Sequence, residues 1–224
     1  MRGVRFACLV LLVVACAAPV WGQQAVVFYD DFESGDTSGW WAPARVGETG
    51  QVTCDGEGGF VIPCAGTGQD GDKRGGVAWP NPRFVDNGDG TVMDMLTGLV
   101  WLRNANCFGQ RTWVDALADA NCLASDAFGL TDGSVAGDWR LPSVNELQSL
   151  VDYEYYLPAL SNTAGTAQWT EGDAFSGVQS DYCWSSSSYA YYPQYAWAVA
   201  LDVGDVHAGY KTLTGYVWPV RAGQ

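Results

Sequence analysis

The chain has 224 residues, and its 25 Asp and Glu against 11 Lys and Arg give a formal net charge of −14 at pH 7. Only 16 % of residues are charged and 48 % are hydrophobic, which excludes a disordered acidic tail and requires a folded core. The negative charge offers no basic surface to nucleic acid, and a single histidine leaves few catalytic bases, so composition favours a binding or structural module over a hydrolase.

Residues 1–22 have the pattern of an export signal. Arg2 and Arg5 precede a nearly continuous apolar run over residues 6–18, and this run is too short to span a membrane comfortably. Residues 13–16 also resemble a bacterial lipoprotein box, in which a lipid on Cys16 would supply the only membrane attachment. With either type of signal, we expect the protein to be secreted or to lie at the cell surface or outer membrane of a bacterium.

The segment 23–75 is rich in Gly and Asp and poor in aliphatic residues. It reads either as a strand and turns laid onto the main domain or as a loose spacer. Its carboxylates could ligate calcium, the one cofactor that the sequence leaves open, but no complete EF-hand spacing is present. We therefore favour a solvated acidic turn for the four candidate ligands, which are Asp30, Asp31, Glu33 and Asp36.

Cysteines beyond residue 22 would be able to oxidise outside the cytoplasm. Pairing nearest neighbours predicts the disulfides Cys54–Cys64 and Cys107–Cys122, although spacing alone does not prove connectivity. This leaves Cys183, which we expect to be buried, with a reactive thiol or an intermolecular bridge as the alternative. The chain has one histidine and no C-x-x-C pair, so a structural zinc site is not expected.

The main domain, residues 76–224, opens with predicted β-structure. Residues 83–86 and 91–93 are strand-like and flank 87–90, whose Asn-Gly-Asp-Gly sequence favours a hairpin turn because Asn and Gly tolerate positive φ. After a second turn, residues 99–102 form a run typical of a buried strand.

Two helices are predicted next. Capping boxes begin at Thr112 and at Ser143, and each precedes an apolar stripe. Residues 153–195 then read as a long loop region with short strands, followed by a half-buried strand from Tyr195 and a final strand ending near Arg221. The order of elements predicts an α+β fold with mainly antiparallel pairing.

Four segments of this domain resemble the Lcl C-terminal domain family, long listed as a domain of unknown function. They are residues 83–101, 137–147, 182–187 and 217–221, and their motif residues include Trp139, Arg140, Leu141, Pro142, Glu146 and Trp184. The resemblance implies a C-type-lectin-like fold, in which a small twisted sheet and two helices support a long irregular loop region. The family's namesake is a bacterial collagen-like surface adhesin whose terminal domain binds sulphated glycosaminoglycans.

This chain departs from the namesake in three respects. It has no collagen-type Gly-x-y repeat, and it lacks the calcium–sugar motifs of true C-type lectins, so the fold analogy carries over no sugar site. Its negative charge also opposes a polysulphated ligand unless basic side chains gather locally. The arginines that could gather are Arg103, Arg111, Arg140 and Arg221.

We predict that the protein is a binding or adhesion module for an extracellular glycan or protein. Aromatic rings stack on sugars and anchor protein partners, although the same rings could instead cover the core beneath an irregular loop. The candidate ligand-binding residues are Trp169, Tyr189, Tyr191, Tyr192 and Tyr195.

Two alternatives are a cell-surface component that self-associates as a homo-oligomer, and an enzyme. The Arg-Leu-Pro segment is similar to one in formylglycine-generating enzymes, but their paired active-site cysteines are not recognisable here. We therefore expect no enzyme, with a carboxylate-based hydrolase as the alternative because sequence does not reveal carboxylate separation. We expect Arg140 and Glu146 to form a structural ion pair and Trp139 to pack in the core.

Overall fold

The computed structural model describes residues 46–223. The predicted export signal, Cys16 and the calcium candidates at residues 30–36 lie outside this range. Nowhere in residues 46–223 is there a helix of the length and apolarity needed to cross a membrane.

The described chain is α+β with mainly antiparallel strands, as the sequence predicts, whereas the C-type-lectin-like character stays a prediction. Its helices are α1 (Asp70–Lys73), α2 (Trp113–Cys122) and α3 (Val144–Gln148). Its strands are β1 (Cys54–Asp55), β2 (Val61–Ile62), β3 (Phe84–Asp86), β4 (Thr91–Asp94), β5 (Leu99–Leu102), β6 (Gln110–Thr112), β7 (Tyr182–Ser188), β8 (Tyr195–Ala200), β9 (Val206–Tyr210), β10 (Thr214–Tyr216) and β11 (Val220–Ala222).

Two sheets form the main body of the described residues. One has the strand order β11-β5-β4-β3, and its pairs are all antiparallel. The other has the order β6-β10-β7-β8-β9, with one parallel pair between β10 and β7. Because β10 and β11 belong to different sheets, the short segment between them crosses from one sheet to the other.

The predicted hairpin turn lies between β3 and β4. Gly88 donates its N–H to Asp86 Oδ1 at 2.9 Å, and Thr91 donates its N–H to Asp89 Oδ1 at 3.0 Å. The carboxylates therefore satisfy the backbone donors of the turn itself, which is the usual role of Asp in tight turns.

Trp218 lies in the crossing segment and is fully buried. Its Nε1–H donates to the Leu102 carbonyl at 2.8 Å, and its ring meets Trp101 and Phe175 edge-on, with centroid distances of 5.6 and 4.9 Å. Aromatic pairs prefer this edge-to-face geometry because ring edges are positive and ring faces negative. The core thus joins the two sheets at Trp218.

Both predicted helices, α2 and α3, begin at the residues that their capping boxes predict. Thr112 caps α2, and Ser143 caps α3 in a complete box in which Glu146 bonds back to the Ser143 N–H at 2.7 Å. Ala116 and Ala120 of α2 are fully buried and belong to one hydrophobic cluster with Trp184 and with Ala196 and Ala198 of β8.

The Arg-Leu-Pro segment fastens α3 to the four-stranded sheet. Arg140 and Val220 exchange two backbone hydrogen bonds of 3.1 and 3.0 Å. The Arg140 guanidinium also donates two hydrogen bonds, of 2.8 and 2.6 Å, to the Glu146 carboxylate. Trp139 is fully buried and donates its Nε1–H to Ser134 Oγ at 3.0 Å. These residues therefore have structural roles, as expected.

Residues 46–80, here called the N-terminal arm, lie on the main body. The Tyr153 N–H donates to the Thr49 carbonyl at 3.0 Å. The Glu154 carboxylate accepts the N–H groups of Val52 and Thr53 at 2.8 and 3.1 Å. For the described part of the segment, the structure thus agrees with turns laid onto the domain rather than with a loose spacer.

The cysteine prediction is half right. Cys54 and Cys64 form a disulfide, whereas Cys107 and Cys122 are both free thiols. In α2, Cys122 follows the buried Ala120 by two residues, which turns it by about 200° to the solvent side. Cys107 instead packs against the core, so the two side chains face different surroundings.

We expect Glu146→Ala to destabilise the protein more than Arg140→Ala, because the carboxylate serves both the capping box and the ion pair. The expected losses are about 1–2 kcal/mol for Glu146→Ala and less than about 1 kcal/mol for the partly exposed Arg140. Urea unfolding measures both, with the exposed Glu57→Ala as control.

The ion pair between Arg140 and Glu146 should make the stability of the protein depend on pH. The hydrogen bond from Arg140 lowers the pKa of Glu146, so its stabilisation is present at neutral pH and is lost on acidification. The difference between wild type and Glu146→Ala should shrink below about pH 4. A difference that is constant with pH would contradict this account.

The three free thiols within residues 46–223, which are Cys107, Cys122 and Cys183, should differ in reactivity. Burial raises the pKa of Cys107 and of Cys183 to about 12, and Cys122 is exposed. Because the thiolate is the reactive form, iodoacetamide at mildly alkaline pH should label Cys122 first and leave Cys183 unlabelled until the protein unfolds. Peptide mass spectrometry reads the order, and protection of Cys107 and Cys122 together as a disulfide would contradict it.

Candidate functional site

The hairpin formed by β7 and β8 carries the main concentration of predicted binding residues. Its pairing register shifts between Trp184 and Ser188, which gives β7 an irregular, bulged second half. Serines satisfy the backbone there, since Ser185 Oγ donates to the Trp197 carbonyl at 2.6 Å. The bulge is also tied to α3, because Val144 at its first turn donates its N–H to Ser187 Oγ at 3.2 Å.

The loop that closes this hairpin is held by its own backbone. Tyr189 donates its N–H to the Tyr195 carbonyl at 3.0 Å, and Tyr195 donates its N–H to the Tyr192 carbonyl at 2.9 Å. These bonds fold residues 189–195 into a tight turn. Tyrosines at four of its positions are consequently brought to one surface.

Six aromatic side chains form a continuous surface, here called the tyrosine patch. Successive ring centroids are 4.0 to 6.4 Å apart, so each ring contacts at least one other. The tyrosine patch consists of Tyr189, Tyr191, Tyr192, Tyr195, Tyr210 and Trp197.

The patch has an outer and an inner set of rings. Tyr191, Tyr192 and Tyr210 are 73 %, 46 % and 49 % exposed, while the other three are half-buried beneath them. Each aromatic pair contributes about 0.5–1.5 kcal/mol beyond simple burial. The inner rings therefore restrict the outer ones before any ligand arrives, which reduces the entropy cost of binding.

The patch is an uncharged surface. The hydrogen bond with Tyr210 raises the pKa of Tyr195 to about 12, so this phenol stays neutral at physiological pH. Lys211, which follows β9, is turned to other partners: its Nζ lies 3.9 Å from the Trp113 ring centroid and donates to Ser188 Oγ at 2.7 Å. The surface can stack and donate or accept hydrogen bonds without attracting a charged ligand.

The structure brings together four of the five predicted ligand-binding residues. Tyr189, Tyr191, Tyr192 and Tyr195 all lie in the patch. Trp169 does not lie in the patch. Its ring is half-buried against the hydrophobic core, and its backbone N–H donates to the Leu160 carbonyl at 2.8 Å. Its role in binding stays a prediction.

Two members of the patch were missed by the sequence reasoning. Trp197 lies two residues after Tyr195 on the same strand, so alternation along β8 was a usable signal for it. Tyr210 joins because β8 and β9 pair Tyr195 directly with Tyr210. Their register depends on the connection between the strands, which the sequence pattern did not specify.

The four arginines do not gather into a free basic cluster. Each of them pairs with a carboxylate of its own. The pairs and their N–O distances are Arg103–Asp86 at 3.1 Å, Arg111–Asp119 at 2.7 Å, Arg140–Glu146 at 2.6 Å and Arg221–Asp132 at 3.3 Å.

A cavity of about 860 Å³ lies elsewhere, between the N-terminal arm and α3. Thr49 and Gln148 line opposite sides of it, and Tyr153 stands at its border. The aromatics of the predicted loop region therefore serve two separate surfaces, since Tyr153 belongs to this cavity and the later tyrosines form the patch. Across residues 46–223 no group of three or more His, Cys, Asp or Glu is arranged to hold a metal ion.

One carboxyl near this arm has a perturbed pKa. Burial raises the pKa of Asp152 to about 6, against the opposing effects of the Glu154 N–H and the Arg83 guanidinium. Only 2 % of Asp152 is exposed, and a Cβ at Gly50 in the arm would overlap its carboxylate. A substrate has no room to reach this group while the arm is in place.

The chain resembles a known protein family. The family model of the Lcl C-terminal domain matches residues 90–221, which is more than half of the chain. No curated protein matches the sequence.

Proposed function

The chain belongs to the Lcl C-terminal domain family, and from this premise we propose that it is an exported bacterial binding module. The module acts in the manner of an adhesin and recognises an uncharged surface of an extracellular glycan or protein. The observation that carries the proposal is the tyrosine patch, in which six contacting rings share one surface of a braced hairpin.

Tyrosine is suited to this task because its ring stacks on apolar surface while its hydroxyl exchanges hydrogen bonds. The three outer rings present contact area, and the inner rings and the serine-rich bulge support them. A surface that is already ordered loses little conformational entropy on binding, so weak stacking contacts are used efficiently.

The charge distribution favours an uncharged ligand over the sulphated glycosaminoglycans bound by the family's namesake. The net charge of −14 repels polyanions, and the four arginines that could have offset it are paired with carboxylates. Counterion release, the main source of affinity for polyanions, needs free cationic side chains.

The Cys54–Cys64 disulfide supports export, since such bonds persist in oxidising compartments. We also propose that the role is binding rather than catalysis. In support of this, Asp152, whose pKa is raised to about 6 by burial, lies covered by the N-terminal arm.

We expect the double variant Tyr191→Ala/Tyr192→Ala to lose ligand binding. Truncating two exposed anchors should weaken binding at least about tenfold, while the melting temperature changes little because both rings are exposed. The measurement is binding of the purified chain to an array of neutral and acidic oligosaccharides and to immobilised extracellular-matrix proteins.

Tyr156→Ala is the matched control, because Tyr156 is 69 % exposed and lies outside the patch. Equal binding by wild type and the double variant to every array member that wild type binds would refute the tyrosine patch as the binding surface. An array without any bound member would count against the proposed function as a whole.

We further expect no measurable binding to heparin at physiological salt. At low salt, any residual attraction should be abolished by a modest salt increase, because long-range interactions between exposed charges are screened over about 8–10 Å. Surface plasmon resonance on immobilised heparin tests this, and tight binding at about 0.15 M salt would contradict the charge argument.

A further inference from the structure

Strand β9 (Val206–Tyr210) is an edge strand of its sheet in the part of the chain that the structure describes. In the strand order β6-β10-β7-β8-β9 it comes last, and no described strand of residues 46–223 pairs with its outer side. The strand contains no proline, no lysine and no carboxylate, which are the usual means of blocking an edge. Val206 and Tyr210 are 37 % and 49 % exposed.

The hydrogen bonds to β8 show which groups of β9 point outward. Ala200 donates its N–H to the Asp205 carbonyl at 2.9 Å, and Lys211 donates its N–H to the Gln194 carbonyl at 3.0 Å. Antiparallel pairing alternates, so residues 205, 207, 209 and 211 bond to β8. Val206, Ala208 and Tyr210 therefore direct their N–H and C=O groups away from β8. Of these groups, the Tyr210 carbonyl already accepts the Leu213 N–H at 2.9 Å.

We propose that a second copy of this chain pairs with that edge, antiparallel to it, about a two-fold axis at Ala208. In this register Ala208 lies opposite Ala208 of the second copy, and Val206 lies opposite Tyr210 of the second copy. The outward N–H and C=O groups then meet their counterparts, because an isologous interface places each residue against its symmetry mate. The Tyr210 carbonyl is shared in this register, since it accepts both the Leu213 N–H of its own copy and the Val206 N–H of the other.

The charged residues at the two ends of β9 favour this pairing register over registers shifted by two residues. Asp205 and Lys211 flank β9 at its two ends, and a two-fold axis at Ala208 sets each Asp205 opposite a Lys211 of the second copy. Neither residue forms an ion pair within the described chain. In the dimer the Lys211 Nζ exchanges its contacts with Trp113 and Ser188 for the carboxylate of the second copy. Sliding the pairing by two residues in either direction separates these charges, while cross-strand opposite charges favour pairing.

Side-chain shape also fits this arrangement. On one face, Tyr210 lies beside Val206 of the second copy, which joins two tyrosine patches across the new pair. On the other face, His207 of the second copy comes opposite Gly209. The Trp184 ring lies over Gly209, since a Cβ at this glycine would come within 2.9 Å of the ring, and both residues line a cavity of about 130 Å³. The imidazole of the second copy therefore comes next to this ring.

The assembly is a continuous sheet of ten strands with two patches on one surface. Two linked patches bind a repetitive ligand more tightly than one, because the second contact is intramolecular. The net charge of −14 on each copy opposes association, so we expect a dissociation constant between about 1 µM and 1 mM.

Sedimentation equilibrium of the full chain across about 1 µM to 1 mM tests the proposal. Wild type should shift from monomer to dimer, and Ala208→Pro should weaken the dimer at least about tenfold. The substitution removes an outward N–H without removing a bond to β8, and proline is tolerated on edge strands. Circular dichroism checks that the variant folds.

Charge reversal tests the register and does not depend on a proline variant that folds. Asp205→Lys should weaken the dimer by placing like charges opposite each other, and Asp205→Lys combined with Lys211→Asp should restore it. The proposal is overturned if wild type stays monomeric throughout, even if β9 then captures an extended peptide. It is also overturned if Asp205→Lys leaves the dimer unchanged, because the dimer then forms elsewhere.

Discussion

The burial of Trp218 at the junction between the two sheets is the constraint on which the rest of the structure depends. Its ring packs against Trp101 and Phe175, and its N–H is satisfied by the Leu102 carbonyl. The strand before Trp218, β10, pairs with β7, and the strand after it, β11, pairs with β5. The packing of this one side chain therefore fixes the position of one sheet against the other. Truncating a buried tryptophan costs about 3–5 kcal/mol, a large part of a typical domain's total stability.

A second set of hydrogen bonds connects this junction to the hairpin that holds the tyrosine patch. The Arg140 backbone pairs with Val220 next to the junction, and its side chain holds Glu146 in the first turn of α3. The same helix end bonds to the bulge of β7 through Val144 and Ser187. The family hallmark thus lies apart from the tyrosine patch and fixes the hairpin that presents the tyrosines.

Most residues of the tyrosine patch, but not all of them, could be predicted from the local composition of the sequence. Four tyrosines within seven residues could hardly all be buried, so their shared surface was predictable. Trp169 lies outside the patch, because its half-burial depends on a core built from distant strands. The prediction of a Cys107–Cys122 disulfide was wrong for a similar reason, since the direction of Cys122 depends on which face of α2 packs against the core.

The sequence by itself determined the features that depend on near neighbours. These are the Asn-Gly hairpin turn, the capping boxes at Thr112 and Ser143, and family membership. Only the tertiary structure decided the register that sets Tyr210 beside Tyr195, the carboxylate partner of each arginine, and the free edge at β9. Those outcomes depend on residues far apart in the chain, whose contacts are set by packing rather than by any local pattern.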